Sequence, residues 1–128
     1  VSVYESYGSR KLINNMLRAY ISPSLGEHSI DGIFTSSDHL ATIVREELEE
    51  MGKQVPEDIQ IIGYDGLQFL NQGKPIVSSI AQPVHEIAKE AVRCLNELIA
   101  NGKTEGNTKI PVSFQEGPTT KTLVTEEK

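Results

Sequence analysis

The chain has 128 residues, 38% hydrophobic and 23% charged, with a formal net charge of −6. That length suits one globular domain burying roughly two-thirds of its unfolded surface, and the composition is that of an ordered soluble chain. The acidic balance, with twelve scattered basic residues, excludes direct nucleic-acid binding by this segment, because phosphate backbones are held by clusters of Lys and Arg.

One cysteine, Cys94, excludes an internal disulfide and a multi-cysteine zinc site, and the absence of Trp removes a usual platform for stacking single-stranded bases. Cys94 is expected to be an inert packing residue on the apolar side of a helix. No apolar run approaches the ~20 residues needed to cross a bilayer, so no membrane partner is expected. The chain opens at Val1 with neither an initiator Met nor a signal-peptide pattern, so it is expected to be a processed product or an excised piece.

In chain order, Val1-Ser2-Val3-Tyr4 alternates apolar and polar residues and predicts the end of a strand over 1–5. A helix is predicted over 9–21, with Leu12, Ile13, Met16, Leu17 and Tyr20 on one buried stripe. Pro23 ends it, since proline disfavours helical geometry in the residue before it. A strand over 32–36 follows, then a helix over 39–51 with Leu40, Ile43, Val44, Leu48 and Met51 on one face. Gly52 is placed to supply its left-handed C-terminal cap.

Val55-Pro56-Glu57-Asp58 turns the chain into a strand over 59–64. Residues 66–73 read as a loop with one helical turn, and a further strand is predicted over 77–81. Pro83 suits the opening of a helix reaching about residue 100. Val84, Ile87, Ala88, Ala91, Val92, Leu95, Leu98 and Ile99 give it the strongest amphipathic pattern in the chain, and Asn101-Gly102 is its stop. A last strand falls around 110–114, and 121–128 is a solvated tail. The alternation of strands and helices predicts an α/β fold with a parallel sheet and right-handed crossovers. The elements are too few to cover both faces of that sheet, so the chain is read as part of a larger fold.

Three of these strands run into polar residues: Asp38, Asp65 and Gln82. In open α/β sheets ligands bind in the crevice beyond the carboxyl ends of the strands. Two carboxylates and an amide gathered there suit a polyhydroxylated small molecule, and hydrogen bonds to charged groups contribute about 1.5–3 kcal/mol each. Each residue also has a structural explanation. Asp38 is placed to N-cap the following helix, Asp65-Gly66 is a common turn dipeptide, and Gln82 ends a strand before Pro83. Ser37 can offer a hydroxyl to the same crevice. Tyr64 and Phe69 offer apolar faces for a sugar ring, although core packing is the first expectation for either. Tyr4, Glu5, Ser6 and Tyr7 lie at another strand end that completes the rim.

Catalysis has less support. Asp38 and Asp65 form a glycosidase pair only at ~5–9.5 Å separation and in distinct environments, and the sequence specifies neither. His28, His39 and His85 lack zinc-motif spacing, and there is no Gly-x-Ser-x-Gly, no phosphate loop and no dinucleotide fingerprint. No enzyme activity, cofactor or metal is expected.

The runs Asp31-Gly32-Ile33-Phe34-Thr35-Ser36-Ser37-Asp38-His39-Leu40-Ala41 and Val55-Pro56-Glu57-Asp58-Ile59-Gln60-Ile61-Ile62-Gly63-Tyr64-Asp65-Gly66, with Ile80-Ala81-Gln82-Pro83 and Ile110-Pro111-Val112-Ser113, follow in an order and spacing that resembles LacI/GalR-family transcription regulators. The resemblance covers about residues 1–120, the C-terminal part of their effector-binding region. It implies a periplasmic-binding-protein-like type I fold, in which two α/β subdomains close on a small ligand. Residues 1–82 would then belong to the C-terminal subdomain, 83–103 to a helix crossing to an N-terminal subdomain, 104–120 to a final strand region, and 121–128 to the tail.

In that family the residue pair ending the first of these strands is commonly Asn-Asp and contacts the effector; it reads Ser37-Asp38 in this chain. The Asp of Gly-Tyr-Asp carries over as Asp65 and the Gln of the crossover strand as Gln82. Where the family often has an Arg near its end, this chain reads Phe114-Gln115-Glu116-Gly117-Pro118-Thr119-Thr120. The implied partners are a small-molecule effector (a sugar or sugar phosphate), DNA only through an N-terminal helix-turn-helix, and a second copy in a homodimer, in the cytoplasm. The face of the 39–51 helix and the Phe69-Leu70 loop resemble places where such subunits meet. The main alternative is the solute-binding protein of a sugar transporter, which shares the fold.

Overall fold

A computed structural model of the chain describes residues 10–21, 30–66, 70–71, 74–104 and 107–122. The strand expected over 1–5, the turn around Pro23, Phe69 and most of the tail lie outside the described residues. The elements run α1 (Arg10–Ile21), β1 (Gly32–Phe34), α2 (Asp38–Glu50), β2 (Gln60–Asp65), β3 (Leu70–Asn71), β4 (Lys74–Pro75), β5 (Ser78–Ala81), α3 (Val84–Asn101) and β6 (Ser113–Gln115).

The four-stranded sheet has the order β1-β2-β5-β6. Its first three strands are parallel, with Ile33 opposite Ile61 and Tyr64 opposite Ile80. The last strand departs from expectation: β6 runs antiparallel to β5, with Phe114 opposite Ile80, so the sheet is mixed. The chain returns from α3 alongside β5 instead of making another crossover. Leu70–Asn71 also differs from the expected loop with a helical turn, since β3 pairs antiparallel with β4, while 67–69 and 72–73 lie outside the described residues.

One face of the sheet carries the core. Ile13 and Leu17 of α1, Leu40, Ala41, Val44 and Leu48 of α2, and Ile59, Ile61 and Val77 form one buried cluster. Burial of each large aliphatic side chain contributes roughly 1.5–3 kcal/mol. The α1 stripe is narrower than its sequence pattern predicts, because Leu12 and Tyr20 are exposed while Ile13 and Leu17, one turn apart, meet the core. On the apolar face of α2, Leu40, Val44 and Leu48 are buried in this core, while Ile43 and Met51 pack against it only partly buried.

Both ends of α2 follow from local chemistry. Ser37 is the N-cap, its Oγ accepting from the Leu40 N–H at 3.2 Å. Gly52, at φ 79°, donates to the Glu49 carbonyl, and the Lys53 N–H donates to Leu48, a Schellman closure. At the amino ends of the strands Thr119 wedges between β2 and β5. Its carbonyl accepts from the Ile61 N–H at 2.8 Å, and its Oγ1 donates to the Ile61 carbonyl at 2.7 Å and accepts from the Ser78 N–H at 2.8 Å.

The longest helix, α3, has no buried residue. Val84, Ile87, Val92, Leu95, Leu98 and Ile99 are all exposed. Gly102, at φ 67°, closes the helix by donating to the Leu98 carbonyl. Cys94 is half-buried beside Glu90 and Arg93 on this helix, not in the core.

Candidate functional site

The carboxyl ends of β2 and β5 meet at Asp65 and Gln82. Parallel pairing sets Asp65 opposite Ala81, and the Gln82 N–H then donates to the Asp65 carbonyl at 3.1 Å. The same residues are joined by side chains, with Gln82 Nε2 donating to Asp65 Oδ1 at 2.8 Å. A carboxylate has about four lone-pair sites, so that bond leaves Asp65 acceptor capacity for the hydroxyls of a ligand. Both residues are half-buried, within reach of solvent and of a bound molecule.

Asp65 carries a φ of 117°, a sparsely populated conformation for a residue with a side chain. Such strain persists only where the surroundings over-determine it, and it concentrates at functional sites. Gly66 follows at φ 66°, and a Cβ there would come within 2.5 Å of Ala81 Cα. The Asp-Gly turn is therefore both a turn, as its composition predicts, and a crowded approach of backbone to β5.

Asp38 lies at the start of α2, next to Ser37, which is the N-cap in its place. It is 2% exposed, and its Oδ1 accepts from the Ser79 hydroxyl. Room for this carboxylate comes from Gly63, where a Cβ would sit 2.4 Å from Asp38 Oδ1. The Ser79 Oγ also accepts from the Gly66 N–H at 3.1 Å. Asp38 is thus linked to the Asp65 turn through Ser79, from beneath the site. Ser37, half-buried, spends its Oγ on the helix cap.

Tyr64 precedes Asp65 and its ring lies on the sheet face opposite α2, since strand side chains alternate and Gly63 faces Asp38 and Ala41. There it packs edge-on against Phe34, with ring centroids 6.4 Å apart and planes at 74°. Glu5, Tyr4, Ser6 and Tyr7 lie outside the described residues. The structure accordingly joins Asp38, Asp65 and Gln82 in one hydrogen-bonded arrangement, with Ser37 and Tyr64 alongside on other duties. Ser79 escaped the sequence reading. Its only signal was the pair Ser78-Ser79 in an otherwise apolar strand, where an unexplained buried hydroxyl calls for a partner.

Among the described residues no group of three or more His, Cys, Asp or Glu could hold a metal ion, and no helix is long and apolar enough to cross a membrane. The chemistry available at the β2 and β5 ends is hydrogen bonding to a polar ligand.

Residues 2–120 match the periplasmic binding protein-like domain. The chain is 44% identical over 69 residues to the ribose operon repressor of Bacillus subtilis (strain 168), covering 54% of this chain and 21% of that protein. Among solved structures it is similar to a LacI family transcriptional regulator from Enterococcus faecium with bound ribose, at 32% identity and a TM-score of 0.64 over 88% of this chain and 41% of that one. It is also similar to a LacI family transcriptional regulator from Arthrobacter sp. FB24 in complex with lactose, at 27% identity and a TM-score of 0.68, again over 88% of this chain and 41% of that one. The chain thus spans about a fifth of the repressor's length and about two-fifths of the solved chains.

Proposed function

Because the chain belongs to the periplasmic binding protein-like domain family, we propose that it is the C-terminal part of the effector-binding domain of a LacI-type transcription repressor that senses a small sugar. The carrying observation is the Asp65–Gln82 pair, a carboxylate and an amide tied together where two parallel strands end. Likeness to a ribose operon repressor and to a regulator holding ribose favours a regulator over a transporter's binding protein, and a pentose such as ribose over other effectors. Sugar phosphates keep ring hydroxyls to offer Asp65 and remain in the effector class. The site is one of binding, not of turnover.

Gln82 stands at the exit of β5, two residues before α3 begins. A ligand bridging Asp65 and Gln82 therefore acts on the segment that feeds α3. The exposed apolar face of α3 supports its assignment as a helix that crosses to an N-terminal subdomain forming the other wall of the cleft. Ligand binding shifts the balance between open and closed subdomain arrangements only by its differential affinity for the two. In the whole protein that bias reaches DNA through an N-terminal helix-turn-helix, within a cytoplasmic homodimer.

The test is operator release by the full-length protein. Fluorescence anisotropy with operator DNA is followed while D-ribose, ribose 5-phosphate, sucrose or lactose is added. One sugar is expected to weaken DNA binding by tenfold or more, the usual scale of allosteric coupling being about 5–150-fold. DNA affinity unmoved by every sugar would overturn the reading, and sedimentation of the same protein checks the dimer.

A further inference from the structure

We propose that the Ser79 hydroxyl, held by the buried Asp38 carboxylate, is the positioning group that sets the Asp65-Gly66 turn for effector binding. The proposal rests on the reading of Asp65 and Gln82 as the effector-contacting pair. It assigns Asp38 a place behind the site instead of in contact with ligand.

Asp38 and Ser79 are each 2% exposed. Ser79 Oγ donates its proton to Asp38 Oδ1, which turns the Ser79 lone pairs to other donors. The donor they meet is the Gly66 N–H, at 3.1 Å. The peptide that follows the strained Asp65 is consequently held at both of its polar atoms: the Asp65 carbonyl accepts from the Gln82 N–H at 3.1 Å, and the Gly66 N–H donates to Ser79 Oγ at 3.1 Å. Strain of this kind needs such over-determination to persist. The side chain of Asp65 leaves the chain at the Cα bonded directly to this peptide, so its direction depends on how the peptide is held.

Space for the arrangement is reserved by the backbone. Gly63 lacks the Cβ that would stand 2.4 Å from Asp38 Oδ1, and Gly66 lacks the one that would strike Ala81. The neighbouring Ser78 offers an internal control. It is equally buried, yet its Oγ donates to the Gly117 carbonyl at 2.9 Å and pairs with Thr120 Oγ1 at 2.7 Å, anchoring the C-terminal segment at the other end of the strands.

The experiment uses the full-length protein and the variants Ser79→Ala, Ser79→Thr, Ser78→Ala and Asp65→Ala. Amide hydrogen exchange at Gly66 is measured without ligand, and affinity for D-ribose, sucrose and lactose is measured by calorimetry. Loss of one hydrogen bond to the turn is expected to speed Gly66 exchange in S79A and weaken sugar binding, each by about tenfold. S79T, which keeps the hydroxyl, restores both, and S78A lowers Tm while moving neither. Wild-type Gly66 exchange in S79A overturns the proposal. So does wild-type affinity in S79A when D65A has lost binding, and then the site reading stands without it. Wild-type affinity in D65A, or no uptake of any of the three sugars by the unmodified protein, removes the site reading and this proposal together.

Discussion

Asp65 and Gln82 hold each other twice, through the Gln82 N–H to the Asp65 carbonyl at 3.1 Å and through Gln82 Nε2 to Asp65 Oδ1 at 2.8 Å. The double link fixes two strand ends against each other while Asp65 stands at φ 117°. Under the proposed function, this residue gives up favourable backbone geometry to present its carboxylate to the effector.

That trade gives an unusual order of stability among variants. Asp65→Ala loses the bond to Gln82 and keeps the strain, whereas Asp65→Gly loses the same bond and relieves it. The glycine variant is expected to be more stable than the alanine variant by roughly 1 kcal/mol, the reverse of their order at ordinary positions. Both are expected to bind effector at least tenfold more weakly, since one hydrogen bond to a charged group contributes about 1.5–3 kcal/mol. Urea titrations and calorimetry on the full-length protein separate the two effects. A D65G variant less stable than D65A would show that the backbone of residue 65 is unstrained.

Gly63 is needed for room, not for conformational freedom. An added Cβ would lie 2.4 Å from Asp38 Oδ1, 3.1 Å from Asp38 Cα and 3.3 Å from Ala41 Cβ. Relief requires α2 to move off β2, against which it packs in the core. Gly63→Ala is expected to cost about 1–3 kcal/mol, the usual range for overpacking, with loss of Asp38–Ser79 contact. The check is chemical denaturation, and a crystal structure of the variant would show α2 displaced.

Much of this was legible in the sequence because the signals were local. Gly52 after a helical stripe and Asn101-Gly102 after a longer one each have one dominant physical meaning. The apolar stripe of α3 was legible too, and so was its lack of a partner. What was hidden depended on depth and direction. Ser37 and Asp38 are both good capping residues, and only the hollow at Gly63 decides that Asp38 goes inward while Ser37 caps. Ser79 looks like a weak strand residue until its two partners arrive from α2 and from the turn after β2. The direction of β6 depends on where α3 delivers the chain, which a three-residue strand cannot announce. Leu12 and Tyr20 continue the α1 pattern without meeting the core, because periodicity tells which residues share a face and not how wide the neighbour is.

On the surface of α3, Glu90 accepts from Arg93 Nε at 2.8 Å and from Arg93 Nη2 and Thr108 Oγ1 at 2.6 Å each. The Arg93 hydrogen bonds, then that of Thr108, lower its carboxyl from the ordinary 4.5 to about 2. A folded-state pKa below the unfolded value gives stability that is present above pH 4.5 and is lost as pH falls through about 2. In an NMR titration Glu90 is expected to protonate near pH 2 in the unaltered chain and to move back toward 4.5 in Arg93→Gln. Being exposed, the pair is screened, and added salt is expected to narrow the difference. A midpoint that ignores the Arg93 change would show that the pair does not form in solution.

The apolar face of α3 separates the isolated chain from the whole protein. Leu95 is 55% exposed and Ile99 75% exposed, and neither contributes to the core. In the 128-residue chain the double change Leu95→Lys, Ile99→Lys is therefore expected to leave folding stability within about 0.5 kcal/mol, the ordinary range for surface positions. It is also expected to reduce self-association, since apolar patches of this kind drive it. In the full-length protein the proposed crossing buries the same face against the N-terminal subdomain. There the change forfeits about 1.5–3 kcal/mol per buried side chain and buries two charges besides, so Tm and sugar affinity should both fall. Sedimentation of the short chain and thermal unfolding of the long one make the comparison. Equal tolerance in both would mean that α3 stays in solvent in the whole protein, and that the second wall of the cleft is held by something else.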